Sequence, residues 1–416
     1  MTIRDGLRTL YYRCWKTRQQ RKVHHQRIES IRRRGKAEVV FLAANLPMWR
    51  HDGVLRLLLA DSRFSCTAIV HPVSNYTEEE TQRNNEVLSA YFHEVGVPYI
   101  LATTSEGMAS AVDTMRRADI IFYPQPYGDL YGNQLDNCYY RKQLLCYVPY
   151  GVCTFSTQWA FNTALHNQAW RIYCESEFHR GESRRLAYNR AANVVVVGTP
   201  LADAFLHPSG KNVWKAQPHT KKRVIWAPHF SISADGLHRN AFLWMAEPML
   251  QLARQYADEV QFAFKPHPRL LSMLCDHPEW GRERANAYYE QWATMENTQY
   301  ESGAYADLFA QSDAMIHDCG SFTVEYLFSQ KPVMFVSNDV TSAIGAVNEF
   351  GREAFQQHYI GSDEDAIKTF IEDVVLAGHD TKREGREAFF RNYLMPPGNA
   401  TVGQNIYQDI VSSIFQ

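Results

Sequence analysis

The sequence predicts an α/β protein with two doubly wound domains, each a parallel sheet covered by helices, which face a cleft. Three observations support this prediction. Short β-rich runs alternate with amphipathic helical stretches. The alternation is interrupted at 207–222 by a polar stretch with prolines and a glycine. A chain of 416 residues with 45% hydrophobic content suffices for two cores. Parallel sheets bind ligands at the carboxyl ends of their strands, so we expect the site in the cleft.

Residues 37–206 carry the first alternation and predict the N-terminal domain. Its helical stretches include Glu78–Val95 and Glu106–Arg117. The predicted strands are Val39–Ala43, Cys66–His71, Pro98–Ala102, Ile120–Tyr123, Leu145–Val148, Arg171–Cys174 and Val194–Val197.

Residues 207–222 are predicted to be an interdomain linker, and residues 223–395 a second α/β domain. Residues 396–416 follow a Pro-Pro-Gly break and predict a last helix, which can cross back to the N-terminal domain. The predicted strands of the second domain are Val224–Ala227, Gln261–Lys265, Ala314–His317 and Pro332–Val336. Its predicted helices include Asn240–Tyr256, Ser321–Ser329 and Glu384–Tyr393.

The first 36 residues are strongly basic. They hold twelve basic and two acidic residues, a net charge of +10, whereas the whole chain carries −2. Apolar residues recur at helical spacing between the arginines, which predicts a helical arm over residues 1–36. One interpretation is an interfacial helix that attaches to an anionic membrane surface through residues 1–34. The other is a helix packed on its own domain with a solvated basic face. No nucleic-acid partner is predicted.

Eight cysteines occur singly, without a Cys-x-x-Cys pair, so the sequence indicates neither a zinc site nor a redox motif. We expect mostly buried free thiols in a reducing, cytosolic compartment. The basic N-terminus lacks the apolar region of a secretory signal, and no stretch has the roughly 18–20 apolar residues of a membrane span.

The motif with the most chemical information follows the strand that ends at His317. A tight turn leads to a helix that starts near Ser321, where backbone N–H groups and the hydroxyl can face an anion. Glu325 lies one helical turn later, where its carboxylate can accept from ribose hydroxyls. The donor-binding candidates here are Gly320, Ser321, Phe322, Thr323 and Glu325. In the alternative, Ser321 only caps the helix and Glu325 is a solvated charge.

Two further strand ends carry histidines. Lys265-Pro266-His267-Pro268 fixes an imidazole between two prolines, where it can contact a pyrophosphate. A protonated His267 would stabilise charge on a leaving phosphate. His229 follows the strand Val224–Ala227 and would stand beside His267 if the strands are neighbours. In the alternative interpretation, both histidines are loop residues without a role in ligand binding.

In the N-terminal domain, His51 and Asp52 follow the first strand and can serve acid/base chemistry, although Asp52 equally suits a helix start. Tyr150 and Gly151 follow the strand Leu145–Val148 and should face the cleft. The motifs of P-loop enzymes, of dehydrogenases with a Gly-x-Gly-x-x-Gly loop and of α/β hydrolases are absent from the sequence.

These motifs, in this order, resemble the CDP-glycerol glycerophosphotransferase family of teichoic-acid and capsule polymer synthesis, whose fold is GT-B-like. The matching segments are Val197–Pro200, Ala227–Phe230, Lys265–Pro268, Ser312–Tyr326, Gln330–Val333 and Pro397–Thr401. The resemblance implies an enzyme that moves glycerol or ribitol phosphate from a CDP-activated donor to a hydroxyl of a glycan or lipid-linked acceptor. It implies that the enzyme is cytoplasmic and acts at the inner face of the bacterial cell membrane. No metal or cofactor is predicted.

The resemblance also implies roles for individual residues. His267 and Ser321 would contact the donor pyrophosphate, and Glu325 the cytidine ribose. Tyr150 stands where the family has a histidine, the expected base, and a phenol is a poor base near pH 7. His51 or Asp52 would then take the proton. The family pattern also differs at Cys319, Gly320 and Glu325.

Two other functions fit the same residues. One is a GT-B glycosyltransferase or an enzyme like UDP-GlcNAc 2-epimerase, since Gly320-Ser321 and Glu325 are similar to those enzymes too. The other is a non-catalytic nucleotide-binding member of a polymer-assembly complex, because the family histidine is missing.

Overall fold

A computed structural model describes residues 10–74, 76–127, 134–232, 241–303 and 305–416. The chain forms two compact units. The first unit consists of Met1–Asp203 together with Tyr393–Gln416, and the second of Ala204–Asn392.

The described part of the first unit contains a seven-stranded sheet in which all neighbouring strands are parallel. The strands are β1 (Ala37–Ala43), β2 (Phe64–Val70), β3 (Tyr99–Leu101), β4 (Ile120–Tyr123), β5 (Leu144–Tyr147), β6 (Arg171–Cys174) and β7 (Val194–Val196). Their order in the sheet is β3-β2-β1-β4-β5-β6-β7, which is doubly wound. The seven predicted strands are confirmed, with ends that differ by at most two residues.

Helices surround this sheet. The α-helices of this part are Thr17–Arg34, Asp52–Leu59, Glu78–Val95, Ser105–Arg117, Gln158–Phe161, Ala164–Gln168, Glu177–Leu186 and Val402–Phe415, and Leu201–Leu206 spans the boundary between the units. Short 3-10 turns lie at Leu46–Met48, Asn137–Tyr139 and Pro397–Asn399.

The basic arm is helical where the structure describes it. A π-turn at Tyr12–Lys16 precedes the helix Thr17–Arg34, and residues 1–9 of the predicted arm lie outside the described residues. Arg27 and Arg34 place guanidinium nitrogens 3.2 and 2.6 Å from the buried carboxylate of Asp119. The helix therefore packs on its own domain, as the second interpretation of the arm predicted, while other basic residues remain exposed.

The described part of the second unit contains a six-stranded, fully parallel sheet. The strands are β8 (Lys222–Ala227), β9 (Val260–Phe264), β10 (Thr298–Tyr300), β11 (Ala314–His317), β12 (Val333–Val336) and β13 (Tyr359–Gly361). The order β10-β9-β8-β11-β12-β13 is again doubly wound. The edge strands β10 and β13 were not predicted, because each has only three residues and neither forms an apolar run.

The helices of the second unit cover both faces of its sheet. The described α-helices are Ala241–Gln255, Leu270–Cys275, Gly281–Thr294, Ala306–Gln311, Phe322–Glu325, Val340–Gly345, Glu349–Gln356, Glu364–Thr369 and Arg383–Phe389. A 3-10 turn continues one of them at Tyr326–Ser329, and π-turns lie at Phe370–Leu376 and Phe390–Leu394, the last at the boundary with the first unit. Large aromatic residues such as Trp226 and Trp292 are fully buried in the core.

The segment 207–222, predicted as a linker, lies within the second unit. Trp214 is buried there and donates from its indole nitrogen to the carbonyl oxygen of Leu308 at 3.4 Å. The Ser209 hydroxyl donates to Asp307 at 2.6 Å, and the Lys215 N–H donates to the side chain of Gln299 at 2.7 Å. Proline and glycine made this stretch look like a free connection, but its side chains fix it to the sheet edge.

The helix Val402–Phe415 belongs to the first unit. The carboxylate of Asp203 accepts from the N–H groups of Val402 and Gly403 at 2.7 and 3.0 Å, which satisfies two donors at the helix start. A Cβ added at Gly403 would lie 2.5 Å from the carbonyl carbon of Gly53. Glycine at this position therefore lets two backbones touch.

We expect Gly403→Ala to destabilise the protein by about 1–3 kcal/mol, because the added methyl group overlaps backbone that cannot move aside cheaply. The free energy of unfolding from urea denaturation measures this effect. The control is Gly181→Ala in the helix Glu177–Leu186, where a Cβ meets nothing within 4 Å. There the better helix propensity of alanine should give a gain of up to about 1 kcal/mol. Equal effects of the two substitutions would contradict the close packing at Gly403.

Candidate active site

The predicted donor residues of the second unit follow three adjacent strands. His229 lies two residues beyond β8, His267 three residues beyond β9, and Ser321 four residues beyond β11. These strands are neighbours in the order β9-β8-β11, and the winding of the sheet reverses between β8 and β11. Ligands of doubly wound sheets bind in the crevice at this reversal, beyond the carboxyl ends of the strands. The structure thus brings the three loops together at the carboxyl ends of the central strands.

The buried carboxylate of Asp318 joins two of these loops. It accepts from the backbone N–H of His229 at 2.6 Å and from that of Ala241, at the start of a helix, at 3.2 Å. Asp318 is completely buried, so these bonds form in a low dielectric, where a charged acceptor is strong. The residue fixes the position of the loop that carries His229. Its only signal in the sequence is an acid directly after an apolar strand.

His267 and His229 lie side by side, as predicted, with ring centroids 5.3 Å apart. Phe230 touches both rings, at 4.4 and 4.5 Å between centroids. The Nδ1 atom of His267 accepts from the backbone N–H of Arg269 at 3.2 Å, which assigns the proton of the neutral ring to Nε2. Burial, aided by the charge of Arg269, lowers the pKa of His267 to about 4. The ring is therefore neutral at pH 7 before an anion binds, and it donates through Nε2–H rather than as an imidazolium.

Lys265 and Glu325 are linked through a residue that the sequence did not single out. The Lys265 ammonium is buried, donates to the carbonyl oxygen of Gly303 at 2.9 Å, and lies 5.2 Å from the ring centroid of Tyr305. The Tyr305 hydroxyl donates to Glu325 Oε2 at 2.7 Å. Burial lowers the pKa of Lys265, and the acidic groups of Glu301, Cys319 and Glu325 oppose that shift. The cation and the buried carboxylate of Glu325 thus both contact one tyrosine, the cation at its ring and the carboxylate at its hydroxyl.

Ser321 lies at the surface, at the start of the helix Phe322–Glu325. Its backbone is helical and its side chain caps no N–H group, so the simple capping role is not what the structure shows. The hydroxyl lies 3.4 Å from the buried sulfur of Cys319. Burial raises the pKa of that thiol, which therefore stays protonated at neutral pH. An exposed hydroxyl beside a partly exposed Gly320 leaves room for an anion to approach the turn.

Two of the predicted donor residues stabilise the turn before Ser321 through side-chain contacts. Thr323 is buried, and its hydroxyl donates to the carbonyl oxygen of Cys319 at 3.4 Å. Phe322 packs its ring on those of Tyr305 and Phe309, at 5.4 and 5.2 Å between centroids. Both residues therefore support the loop that presents Ser321.

The acid/base candidates His51 and Asp52 lie in the first unit and differ sharply in exposure. His51 is completely buried among the rings of Phe41, Trp49 and Phe122, with centroids 5.1 to 5.6 Å away. Neither ring nitrogen has a hydrogen-bond partner in the described part of the chain, and burial lowers the pKa to about 3. The Asp52 side chain is 47% exposed, lies 3.2 Å from Arg56 Nε, and accepts from the Tyr91 hydroxyl. Asp52, and not His51, is accessible to a substrate.

Tyr150 and Gly151 also lie in the first unit, beyond β5. The Tyr150 side chain is exposed enough to meet a ligand, and its carbonyl oxygen accepts from Arg50 Nε at 2.9 Å. Partial burial and the neighbouring Cys153 raise the pKa of its phenol, so even less of it is in the basic phenolate form at neutral pH.

The sequence reasoning also missed Glu175. It is the first residue beyond β6, it is buried, and its Oε1 accepts from the backbone N–H of Cys153 at 3.3 Å. The signal available in the sequence was a carboxylate directly after a predicted strand in the same domain.

A cavity of about 410 Å³ also occurs in the second unit, but none of the predicted site residues lines it. It lies beside Arg223, near the amino end of β8, and so at the edge of the sheet opposite the three loops. We place the site at the loops, because their chemistry and the winding of the sheet coincide there.

The sequence profile of the CDP-glycerol:poly(glycerophosphate) glycerophosphotransferase family matches residues 167–411, more than half of the chain. The chain belongs to this family. It is therefore a glycerophosphotransferase-type enzyme, and the match includes every donor-side residue described above. His51, Asp52 and Tyr150 lie before the matched region.

Solved structures show the same fold. The wall teichoic acid polymerase TagF aligns with a TM-score of 0.60 and 11% identity over 100% of both chains. MnaA of S. aureus, in a co-structure with UDP, aligns with a TM-score of 0.59 and 13% identity over 91% of this chain and 97% of that one. UDP-GlcNAc 2-epimerase of Neisseria meningitidis aligns with a TM-score of 0.54 and 13% identity over 91% and 100%. These likenesses confirm the predicted GT-B-like fold. No curated protein sequence matches the chain.

Replacement of the buried His51 by leucine should make stability less dependent on pH. A folded-state pKa of about 3 against 6.5 for the free side chain means that the unfolded chain binds one more proton in this range. Stability is then fully present above pH 6.5 and is lost as the pH falls towards 3. Below pH 6, the free energy of unfolding should fall with decreasing pH less steeply in His51→Leu than in the native protein. The difference between the two slopes should be about 1.4 kcal/mol per pH unit.

Urea denaturation at several pH values between 7 and 4 measures this slope. His25→Leu is the control, because that ring is exposed in the helix Thr17–Arg34 and remains in water in both states. A slope that His51→Leu leaves unchanged would contradict the buried, neutral imidazole.

Proposed function

We propose that the enzyme transfers glycerol or ribitol phosphate from a CDP-activated donor, and that the donor binds beyond β8, β9 and β11. The observation that carries this proposal is the convergence of His229, His267 and Ser321 at the reversal of the sheet, in a chain of the glycerophosphotransferase family. This place combines N–H and hydroxyl donors with a buried ammonium group. Such a set suits a diphosphate.

The reaction would be an in-line displacement at phosphorus. An acceptor hydroxyl oxygen forms a new bond to the β-phosphorus, the bond between that phosphorus and the bridging oxygen breaks, and CMP leaves with the electron pair. His267 would donate through Nε2–H to the diphosphate, and Lys265 would add positive charge nearby. A bound diphosphate raises the pKa of an adjacent imidazole, so His267 can gain a proton as the leaving group develops charge. Catalysis would rest on positioning and charge stabilisation, with no metal ion required.

The proton of the acceptor hydroxyl needs a base, for which the sequence offered residues of the first unit. Tyr150 is unsuited because its pKa is raised, and His51 because it is buried. Asp52 is half-exposed and is held by Tyr91 and Arg56. We therefore assign the role of base to Asp52, at the start of the helix Asp52–Leu59, and note Glu175, directly after β6, as a further carboxylate of this unit.

The donor assignment predicts a specific loss of nucleotide affinity in Glu325→Gln. If the carboxylate accepts from the ribose hydroxyls, CDP should bind about tenfold to a hundredfold more weakly, because hydrogen bonds to a charged group contribute about 1.5–3 kcal/mol. Binding of 2′,3′-dideoxy-CDP should change little. Isothermal titration calorimetry measures both constants, and UDP and GDP in the same series test the base preference. An equal loss of affinity for CDP and 2′,3′-dideoxy-CDP would contradict a contact between Glu325 and the ribose hydroxyls.

Release of CMP decides between an enzyme and a non-catalytic nucleotide-binding protein. Purified protein should release CMP from CDP-glycerol or CDP-ribitol when a glycan or lipid-linked acceptor is present, at the same rate with and without EDTA. Nucleotide binding without CMP release would support the non-catalytic alternative. Turnover with a UDP-sugar alone would support the glycosyltransferase or epimerase alternative.

We further propose that the basic helix Thr17–Arg34 attaches the enzyme to the cytoplasmic face of an anionic membrane. Arg18, Arg21 and Lys22 are exposed on this helix, and Trp15 is 55% exposed just before it. Cations and an aromatic ring on one short segment suit a lipid surface. No helix in the described part of the chain is long and apolar enough to cross a membrane.

Charge reversal at Arg18, Arg21 and Lys22 should release the protein from vesicles that contain anionic lipid. Each cation near such a surface contributes about 1 kcal/mol, so the triple variant should bind at least a hundredfold more weakly. Vesicle sedimentation measures this, and binding of the native protein should also weaken at high salt. The variant is preferable to a deletion of the helix, because a deletion would leave the buried Asp119 without its arginines.

The control is a triple reversal at Arg83, Arg117 and Arg282, three exposed arginines outside the helix. It changes the net charge by the same amount and should leave vesicle binding nearly intact. Equal release by both triple variants would show that the overall charge, rather than the helix, governs attachment.

A further inference from the structure

A group of aromatic side chains in the first unit lies in the segments that follow β4 and β5, and it takes no part in the donor site. Trp159, in the short helix Gln158–Phe161, is 54% exposed, and Tyr150 is 39% exposed. Tyr127 is half-buried, and its ring centroid lies 5.8 Å from that of Trp159. Burial is the main cause of the raised pKa of the Tyr127 phenol, and Tyr150 and Cys153 lie close enough to raise it further. We call Tyr127, Tyr150 and Trp159 the aromatic platform.

Polar groups surround the platform. The Ser156 hydroxyl donates to Glu182, and Asn162 donates to the side chain of Gln158 at 2.6 Å. Ser156, Gln158 and Asn162 lie within three residues of Trp159 along the chain. Glu175 is placed beside Cys153 by its bond to that backbone N–H. Exposed rings with hydroxyl, amide and carboxylate groups around them are typical of ligand sites, whereas scattered single aromatics are not.

The charges near the platform disfavour a phosphate chain. Glu175 and Glu182 bring negative charge, and Arg185 is paired with Glu182 at 2.7 Å. Arg50 donates to two backbone carbonyl oxygens, those of Trp49 and Tyr150, both at 2.9 Å. Arg50 and Arg185 therefore already have partners, and neither is free to bind a phosphate chain.

A pyranose ring matches this surface in shape and chemistry. One face of the ring presents C–H groups that pack on tyrosine and tryptophan rings, and its edge presents hydroxyls that suit amide and carboxylate acceptors. We propose that Tyr127, Tyr150 and Trp159 bind a neutral pyranose unit of the acceptor glycan. This rests on the proposed function, in which the enzyme acts on a glycan, and it names the chemical class of the acceptor subsite.

Direct binding of soluble sugars tests the proposal. The probes are β-linked disaccharides of glucose, galactose and N-acetylglucosamine, and the competitor class is a short oligo(glycerol phosphate). Saturation-transfer NMR and calorimetry on the full chain should show binding of at least one disaccharide and little binding of the phosphate oligomer. Trp159→Ala should weaken that affinity at least tenfold, and Trp159→Phe should retain it within about threefold, because phenylalanine keeps a ring for stacking.

Tyr99→Ala is the matched control. Tyr99 is 38% exposed and lies on the edge strand β3, four strands from β5 in the same sheet, so its loss should leave sugar binding unchanged. Tyr150→Ala provides a second platform variant, and thermal unfolding verifies that each variant is folded. CDP affinity, measured in parallel, should be the same in all of them.

The outcomes separate the two proposals. If CDP binds and no disaccharide does, or if Trp159→Ala and Tyr99→Ala behave alike, the platform proposal is wrong while the donor site stands. Tighter binding of oligo(glycerol phosphate) that depends on Trp159 would also overturn it, since the ligand would then be the polyanion. If CDP itself does not bind, the proposed function fails, whatever the sugars do.

Discussion

The donor side of this enzyme depends on one buried carboxylate. Asp318 follows β11 and accepts from backbone N–H groups that belong to the loop and the helix after β8. A doubly wound sheet sends the connections of these two strands to opposite faces, so their loops diverge at the reversal. A charged acceptor in a dry environment holds the diverging backbones together. It thereby fixes His229 relative to the turn that carries Ser321. The backbone N–H of His267 donates to the carbonyl oxygen of Pro228 at 2.9 Å, which joins the third loop to the same place.

The electrostatic character of the site follows from its burial. Burial lowers the pKa of both His267 and Lys265. The charge of Arg269 adds to this effect at His267, whereas acidic neighbours oppose it at Lys265. Without a ligand, the imidazole is neutral and the lysine is close to acidic groups. A diphosphate would reverse this balance by supplying the missing negative charge. A bound diphosphate would thus favour the protonated imidazole and would pair with the ammonium group.

Much of this architecture could be predicted from the sequence, because central parallel strands are apolar runs that end in polar or proline-containing loops. The runs at Ala314–His317 and Arg171–Cys174 were located to the residue. What could not be predicted depends on residues far apart in the chain. His51 looked like an acid/base group beside Asp52, yet the rings of Phe41 and Phe122 enclose it. The roles of Asp318, Tyr305 and Glu175 arise from contacts across the sheet, and the neutral state of His267 arises from burial. Of these residues, only Asp318 and Glu175 leave a local pattern, an acid directly after a predicted strand, and that pattern does not reveal which backbone groups they bind.

The placement of Val402–Phe415 in the first unit has a consequence for biosynthesis. The start of this helix is held by Asp203 and its backbone touches Gly53, so a part of the first unit is synthesised only after all of the second unit. Until then, the surface around Gly53 lies uncovered and is available to chaperones or to the wrong neighbour. The second unit can therefore fold before the first unit is complete. The first unit finishes folding only when its last helix has been synthesised and has docked.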